Sequence, residues 1–312
     1  MAGASALEHF RLQELADGVH AAVATPRGYG LCNAGIVDLG GVTLVFDAML
    51  TPQAGEALRK AAERLTGRPP TWLVTSHYHG DHVRGSVAVG AGHVVATRRI
   101  RELVLERAPV HLRSDLEEAG RELERLRSGA LEVGKVERVV YEGWFEGILA
   151  TPKDLRFVPA DVTFDSELVL HGSRRTARVL TFGGGHSPSD VLVYLPDERI
   201  GFLGDLLSVG FHPSLADGDP EEFVRILGRV QELGMERAVP GHGPVAPGSS
   251  LADMRRYITV LRGTAREARA RGLDRDAFAA APPQPPFDAW TFSLIYQESA
   301  RFVYDRAGAP PA

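Results

Sequence analysis

The sequence predicts an α/β fold in one large domain, and three observations carry that expectation. Short apolar or β-branched runs recur along the chain, and an amphipathic stretch separates two of them in the order strand, helix, strand. Several histidines and aspartates follow such runs directly and stand beside glycine, where α/β sheets present ligand-binding groups. The composition is ordinary for a globular chain: of 312 residues 44% are hydrophobic and 24% charged, which argues against disorder or coiled coil. That length buries a sizeable core without difficulty.

In chain order, His20–Ala24, Ile36–Leu39 and Val42–Asp47 read as strands because apolar runs there are broken by Gly, Pro and Asn. Thr51–Pro52 opens a helix carrying Leu58 and Leu65 that Gly67 ends. Thr71–Thr75 and His93–Ala96 read as buried strands. From Arg98 to Gly129, eight Arg interleave with seven acidic residues and leucines recur at helical intervals, which predicts a salt-bridged helical pair. Leu131 to Pro159 carries Trp144, Phe145 and Phe157 among Gly and Pro and reads as loop, either core filler or a lid. Strands return at Glu167–Leu170, Arg178–Thr181, Val191–Leu195 and Ile200–Leu203. Asp219–Pro220 caps a helix ending at Gly234, and Leu251–Arg271 forms another. The expected organisation is a single domain over 1–312, with a helical and loop insertion at 98–159 and a C-terminal helical extension at 251–312. The tail after Pro282 is too aromatic for a free linker and is expected to pack on the body or on a second subunit as a homodimer.

A net charge of −5 argues against a dedicated nucleic-acid binder. The lone Cys32 excludes an internal disulfide. Met1–Gln13 has no basic start with an apolar run, and no stretch reaches the roughly 18 apolar residues of a membrane span. The expected location is the cytoplasm, and the expected partner a small-molecule substrate.

The sharpest motif is His77-Tyr78-His79-Gly80-Asp81-His82, directly after a strand. Imidazoles and a carboxylate crowded this closely are costly without an ion between them. His186 in Gly183-Gly184-Gly185-His186, Asp205 in Leu203-Gly204-Asp205 and His242 in Pro240-Gly241-His242 each lie at a strand end beside glycine. Together these seven nitrogen and oxygen donors, with no sulfur, suffice for two adjacent divalent ions. The Gly183–Gly185 run lacks the Lys-Ser/Thr of a phosphate-binding loop and is read as backbone room beside the ligands.

With Asp47 closing an early strand ahead of them, these motifs appear in the order that marks the metallo-β-lactamase-fold superfamily, which the chain resembles over about residues 15 to 250. The resemblance implies a four-layer αβ/βα sandwich with metals at one edge between two sheets. It implies a first site from His77, His79 and His186, and a second from Asp81, His82 and His242. Asp205 would bridge the two, and Asp47 would hydrogen-bond the ligand loop. Zinc suits the donor set best, with iron or manganese as alternatives. The implied chemistry is attack of a water ionised between two cations on an ester, lactone or thioester carbonyl of a small molecule. The candidate catalytic groups are Asp81, itself one of the ligands, and, beyond the ligand set, His212 and Tyr78 as proton donors to the leaving group.

Within the superfamily, Asp205 stands where cysteine-ligand β-lactamases have Cys, leaving at most a weak β-lactamase activity. The flavodiiron branch has Glu where this chain has His79. Glyoxalase II shares the seven ligands, but its basic glutathione-binding pattern is missing from the C-terminal helices. Three readings compete: a phosphodiesterase or nuclease on the same two metals, a mononuclear iron persulfide-type dioxygenase using His77, His186 and Asp205, and a non-enzymatic scaffold. The complete second site weighs against the dioxygenase, and the acidic charge against the nuclease.

Overall fold

The computed structural model describes residues 8–307, so the first seven residues of the Met1–Gln13 stretch and the last five of the C-terminal extension lie outside it. Seven strands form the first sheet in sequence order: β1 (Phe10–Ala16), β2 (Val19–Ala24), β3 (Ala34–Asp38), β4 (Thr43–Phe46), β5 (Trp72–Val74), β6 (His93–Thr97) and β7 (Val162–Phe164). The pairings are antiparallel from β1 to β4 and parallel from β4 to β7. The second sheet holds β8 (Glu167–His171), β9 (Thr176–Gly183), β10 (Asp190–Leu195), β11 (Ile200–Phe202), β12 (Arg237–Val239) and β13 (Ala246–Pro247). It is antiparallel apart from the β11/β12 pair.

The sheets face each other across one core. The rings of Phe46 of β4 and Phe202 of β11 meet at a tilt of 42° with centroids 6.0 Å apart, and Ile36, Val45, Val179 and Val193 are fully buried in the same cluster. Helix α1 (Pro52–Thr66) covers the first sheet. Its start is fixed by the Thr51 side chain, which accepts from the Ala54 N–H, and Gly67 ends it in the left-handed region. Two single-turn helices, α2 (Gly80–Val83) and α3 (Ser86–Val89), follow β5. A second cluster fills the space outside the other sheet, under α7 (Pro220–Gln231), α8 (Ser250–Ala270), α9 (Arg275–Ala280) and α10 (Ser293–Arg306). The result is the αβ/βα sandwich.

The insertion differs from expectation in one respect. The predicted helical pair is present as α4 (Arg98–Glu106) and α5 (Ala108–Ser128), divided at Arg107 with Pro109 in the first turn of α5. Lys135–Leu149, read as loop, is instead a third helix, α6. Its glycines are packing contacts, not breaks. A Cβ on Gly143 would meet the Pro26 carbonyl at 2.7 Å, so glycine lets α6 lie directly against that loop. The aromatic side chains of α6 then join Leu50, Leu123 and Phe292 in a third cluster. The tail packs within the chain: α10 buries Tyr296, Ala300 and Val303 in the same cluster as residues of α8. Among the described residues no helix is long and apolar enough to cross a membrane.

Candidate metal centre

The ends of β4, β5, β9, β11 and β12 meet at one edge between the sheets, and each delivers a titratable side chain there. Asp47 follows β4 in the left-handed region (φ 59°), where the chain turns sharply enough to aim its carboxylate beneath the β5 loop. Asp47 Oδ1 accepts from the Ser76 N–H at 2.8 Å, and Oδ2 accepts from His82 Nδ1–H at 2.8 Å. That contact leaves His82 Nε2 pointing inward, 3.2 Å from Asp205 Oδ1 and 3.4 Å from Asp81 Oδ2.

The other imidazoles are aimed in comparable ways. His79 Nε2–H donates to Asp217 Oδ2 at 3.0 Å, which turns Nδ1 toward His186 Nε2, 3.1 Å away. His77 Nδ1 lies 2.9 Å from Ser76 Oγ, leaving Nε2 buried without a partner. The ligand atoms of His77, His79 and His186 fall within 4.8 Å of one another, as do those of His77, His82 and Asp205. His242 Nε2 reaches both Asp81 Oδ2 and Asp205 Oδ2 at 3.4 Å. Asp205 Oδ2 is also 3.3 Å from His186 Nε2, so this carboxylate touches members of both histidine sets. Glycine is required at 241, where a Cβ would stand 1.9 Å from Asp205 Oδ1.

Electrostatics divides the cluster. Burial, reinforced by the neighbouring imidazoles, holds His77 well below its ordinary value, and burial lowers His186 to about 4. Both are therefore neutral, with a lone pair to give. Burial also opposes charge on His82 and His242, yet the surrounding groups prevail. Asp81, Asp47 and Asp205 raise His82 well above its usual range, and Asp205 and Asp81 raise His242 to about 10. Asp81 and Asp205 are held well below the carboxylate range by the same histidines, against the cost of burial. A buried group of carboxylates that draws protons onto two imidazoles is one that divalent cations would satisfy. His77 Nε2, His82 Nε2, His186 Nδ1 and Asp205 Oδ1 are buried without a hydrogen-bond partner, which fits the same demand.

All seven expected ligands thus come together, with Asp47 beneath them. His212 lines the adjoining cavity, beside His79, Asp81, Asp205 and His242. Its Nδ1 lies 3.1 Å from the Tyr257 hydroxyl, and burial lowers it to about 4. Tyr78 is placed elsewhere. Its ring is buried, its hydroxyl lies 3.5 Å from Arg107 Nη1, and it does not line the cavity, so the geometry offers no route for the proton-donor role expected of it.

Four contributors were not anticipated. Asp217 orients His79. Asp190 accepts the N–H groups of Gly185, His186 and Ser187 and so shapes the His186 loop; burial raises it to about 6. Asn33 Nδ2 donates to the Pro240 and Gly243 carbonyls and holds the His242 loop. Cys32 Sγ donates to the Asp81 carbonyl at 2.9 Å, and burial pushes its thiol up to about 12, so it braces the ligand loop as a neutral group. Gly185 packs against Phe223 of α7, in keeping with the reading of that run as backbone room.

The sequence pattern of the metallo-beta-lactamase superfamily matches residues 27–242. Among solved structures, a metallo-beta-lactamase from Pontibacter korlensis is 20% identical with a TM-score of 0.58, covering 80% of this chain and 99% of that one. A metallo-beta-lactamase from Erythrobacter litoralis is 18% identical with a TM-score of 0.56, over 80% of this chain and 96% of its own. A stereoselective inverting sec-alkylsulfatase from Pseudomonas sp. aligns with 95% of this chain and 50% of its own, at 17% identity and a TM-score of 0.69. At these identities the likeness concerns the fold.

Proposed function

The chain belongs to the metallo-beta-lactamase superfamily, and on that premise we propose that it is a binuclear, zinc-loaded hydrolase of small-molecule esters, lactones or thioesters. One observation carries the reading: seven histidine and aspartate side chains converge at one sheet edge, and four of their buried polar atoms have no hydrogen-bond partner. His77, His79 and His186 would hold one ion, Asp81, His82 and His242 the other, and Asp205 would lie between them. Two such ions, when bound, acidify a shared water to near neutrality and polarise the attacked carbonyl.

The chain's own groups do the positioning. Asp47 and Asp217 each accept a ring N–H, fixing the tautomers in which His82 Nε2 and His79 Nδ1 face inward. The Tyr257 hydroxyl has His212 Nδ1 as its partner, and donation to that atom leaves Nε2 carrying the proton of a neutral imidazole. His212 at the cavity wall would then donate a hydrogen bond to the oxygen of the departing group. Leu31, Leu50, Trp144, Phe292 and Ile295 supply an apolar wall that limits water. Under this reading the enzyme works in the cytoplasm.

The test is a panel of ester, lactone, thioester, phosphodiester, β-lactam and secondary alkyl sulfate substrates offered to zinc-reconstituted protein. Carbonyl substrates should be turned over fastest. Preference for the phosphodiester or the sulfate, neither of which has a carbonyl, would overturn the substrate class.

A further inference from the structure

Two cavities meet at His242. The first, of about 260 Å³, is bounded by five of the ligands, His79, Asp81, His186, Asp205 and His242, together with Arg84, His111, Asp115 and Glu298, and so carries charge. The second, of about 230 Å³, is lined by the same imidazole, and no Asp, Glu, Lys or Arg lines it. Its polar side chains are already engaged. Asn33 gives both Nδ2 protons to carbonyls and accepts the Ala24 N–H at 3.0 Å, while Thr25 Oγ1 donates to the Glu8 carbonyl. What remains facing the space is apolar: Val23, Val140, Phe211 and Pro244. Each cavity falls short of the roughly 300 Å³ at which small-molecule sites begin, and together they exceed it.

The partition between them is unusual. Besides His242, the residues common to both cavities are Leu31 and Phe292. Both are non-glycine residues in the left-handed region, with φ of 59° and 71°. Each is pinned from both sides. The Cys32 N–H donates to the Gly30 carbonyl at 2.8 Å around Leu31. Around Phe292, the Thr291 N–H donates to the Gly210 carbonyl at 2.9 Å and the Ser293 N–H to Glu137 Oε1 at 2.6 Å. The Phe292 ring is packed on Phe211 at 4.9 Å and edge-on to His242 at 6.2 Å. Backbone held in this costly region at two positions of one cavity wall is characteristic of ligand clamps.

We propose that the two cavities are arms of one substrate cleft, clamped at Leu31 and Phe292, and that the substrate is a carboxylic ester or thioester bearing an uncharged apolar arm that occupies the second cavity. The inference rests on the hydrolase reading for its carbonyl and on the lining of the second cavity for its arm. Whether the arm belongs to the acyl or the alcohol side is decided by the experiment.

Two ester series are assayed on the zinc-loaded protein: straight-chain acyl esters from acetate to octanoate on one fluorogenic alcohol, and acetates of straight alcohols from ethanol to octanol. In one series kcat/KM should rise about three- to fourfold per added methylene until the arm is full. Val140→Trp and Ala24→Phe fill the second cavity from different elements. Each should flatten that rise while leaving the shortest ester unaffected. Two flat series in the unsubstituted protein, or a rise that survives both fillings, would overturn the proposal. If no ester is turned over, the ester part of the hydrolase reading fails, and calorimetric titration with 1-octanol then judges the cavity alone. Binding that Val140→Trp and Ala24→Phe abolish supports the apolar arm; no binding, or binding unchanged in both, overturns it.

Discussion

His77, His79, Asp81 and His82 come from one short segment after β5, whereas the wall that faces them is gathered from the consecutive helices α5 and α6 and from the distant α10. The two regions are held differently. Hydrogen bonds of 2.7–3.1 Å to or from Asp47, Asp217, Asp190 and Asn33 aim the ligand loops. The wall is held by stacked rings, such as Tyr141 on Phe145 at 6.0 Å, and by glycine contacts on α6. Directional bonds fix atoms where a reaction needs them, and apolar packing fixes a shape. The difference teaches that chemistry and selectivity should respond separately to substitution.

The largest expected effect is at the point both ligand sets share. Asp205→Ala should bind fewer ions and lose about 10³-fold or more in kcat/KM, more than the loss of a single stabilising donor usually costs. Full activity with one bound ion would break the binuclear account. Next is His212→Ala, expected to lower kcat by about 10²-fold. Because burial keeps His212 neutral down to about pH 4, the ratio of parent to variant rates should stay constant between pH 6 and 9. A ratio that changes across neutrality would mean that an imidazolium acts there. Activity of both proteins should fall toward acid as ligand histidines take up protons.

A smaller effect is expected beneath the site. Asp47→Asn keeps the shape but replaces the carboxylate that accepts from His82, and should cost about 10- to 100-fold in metal affinity or activity. The smallest effect on chemistry belongs to the wall. Gly143→Ala should destabilise the protein by about 1–3 kcal/mol, because the added methyl meets the Pro26 carbonyl, a backbone atom that cannot easily move. Metal content should be unchanged. A fall in metal content with this variant would show that the two regions are not separable.

What was legible in the sequence follows the same division. The ligand loops could be read because each is local: a strand, a glycine and a donor within a few residues, as in Leu203-Gly204-Asp205. The strands before them were legible for the same reason, although β1, β7 and β13 went unnamed, the last two being only three and two residues long. The supports were not legible. Asp217 lies 138 residues from His79, and Asn33 lies 207 residues from Pro240, so only the folded chain pairs them. Helix α6 was hidden because Gly143 and Gly147 look like breaks until their neighbours are known. Tyr78 shows the converse: adjacency to two ligands in sequence did not place its hydroxyl at the cavity.

The central claim is most directly tested by the metal content of the folded chain, measured by elemental analysis on protein purified without a chelating column. The account predicts about two divalent ions per chain, zinc or a mixed pair. A single iron per chain, or no ion retained after reconstitution with zinc, would contradict it.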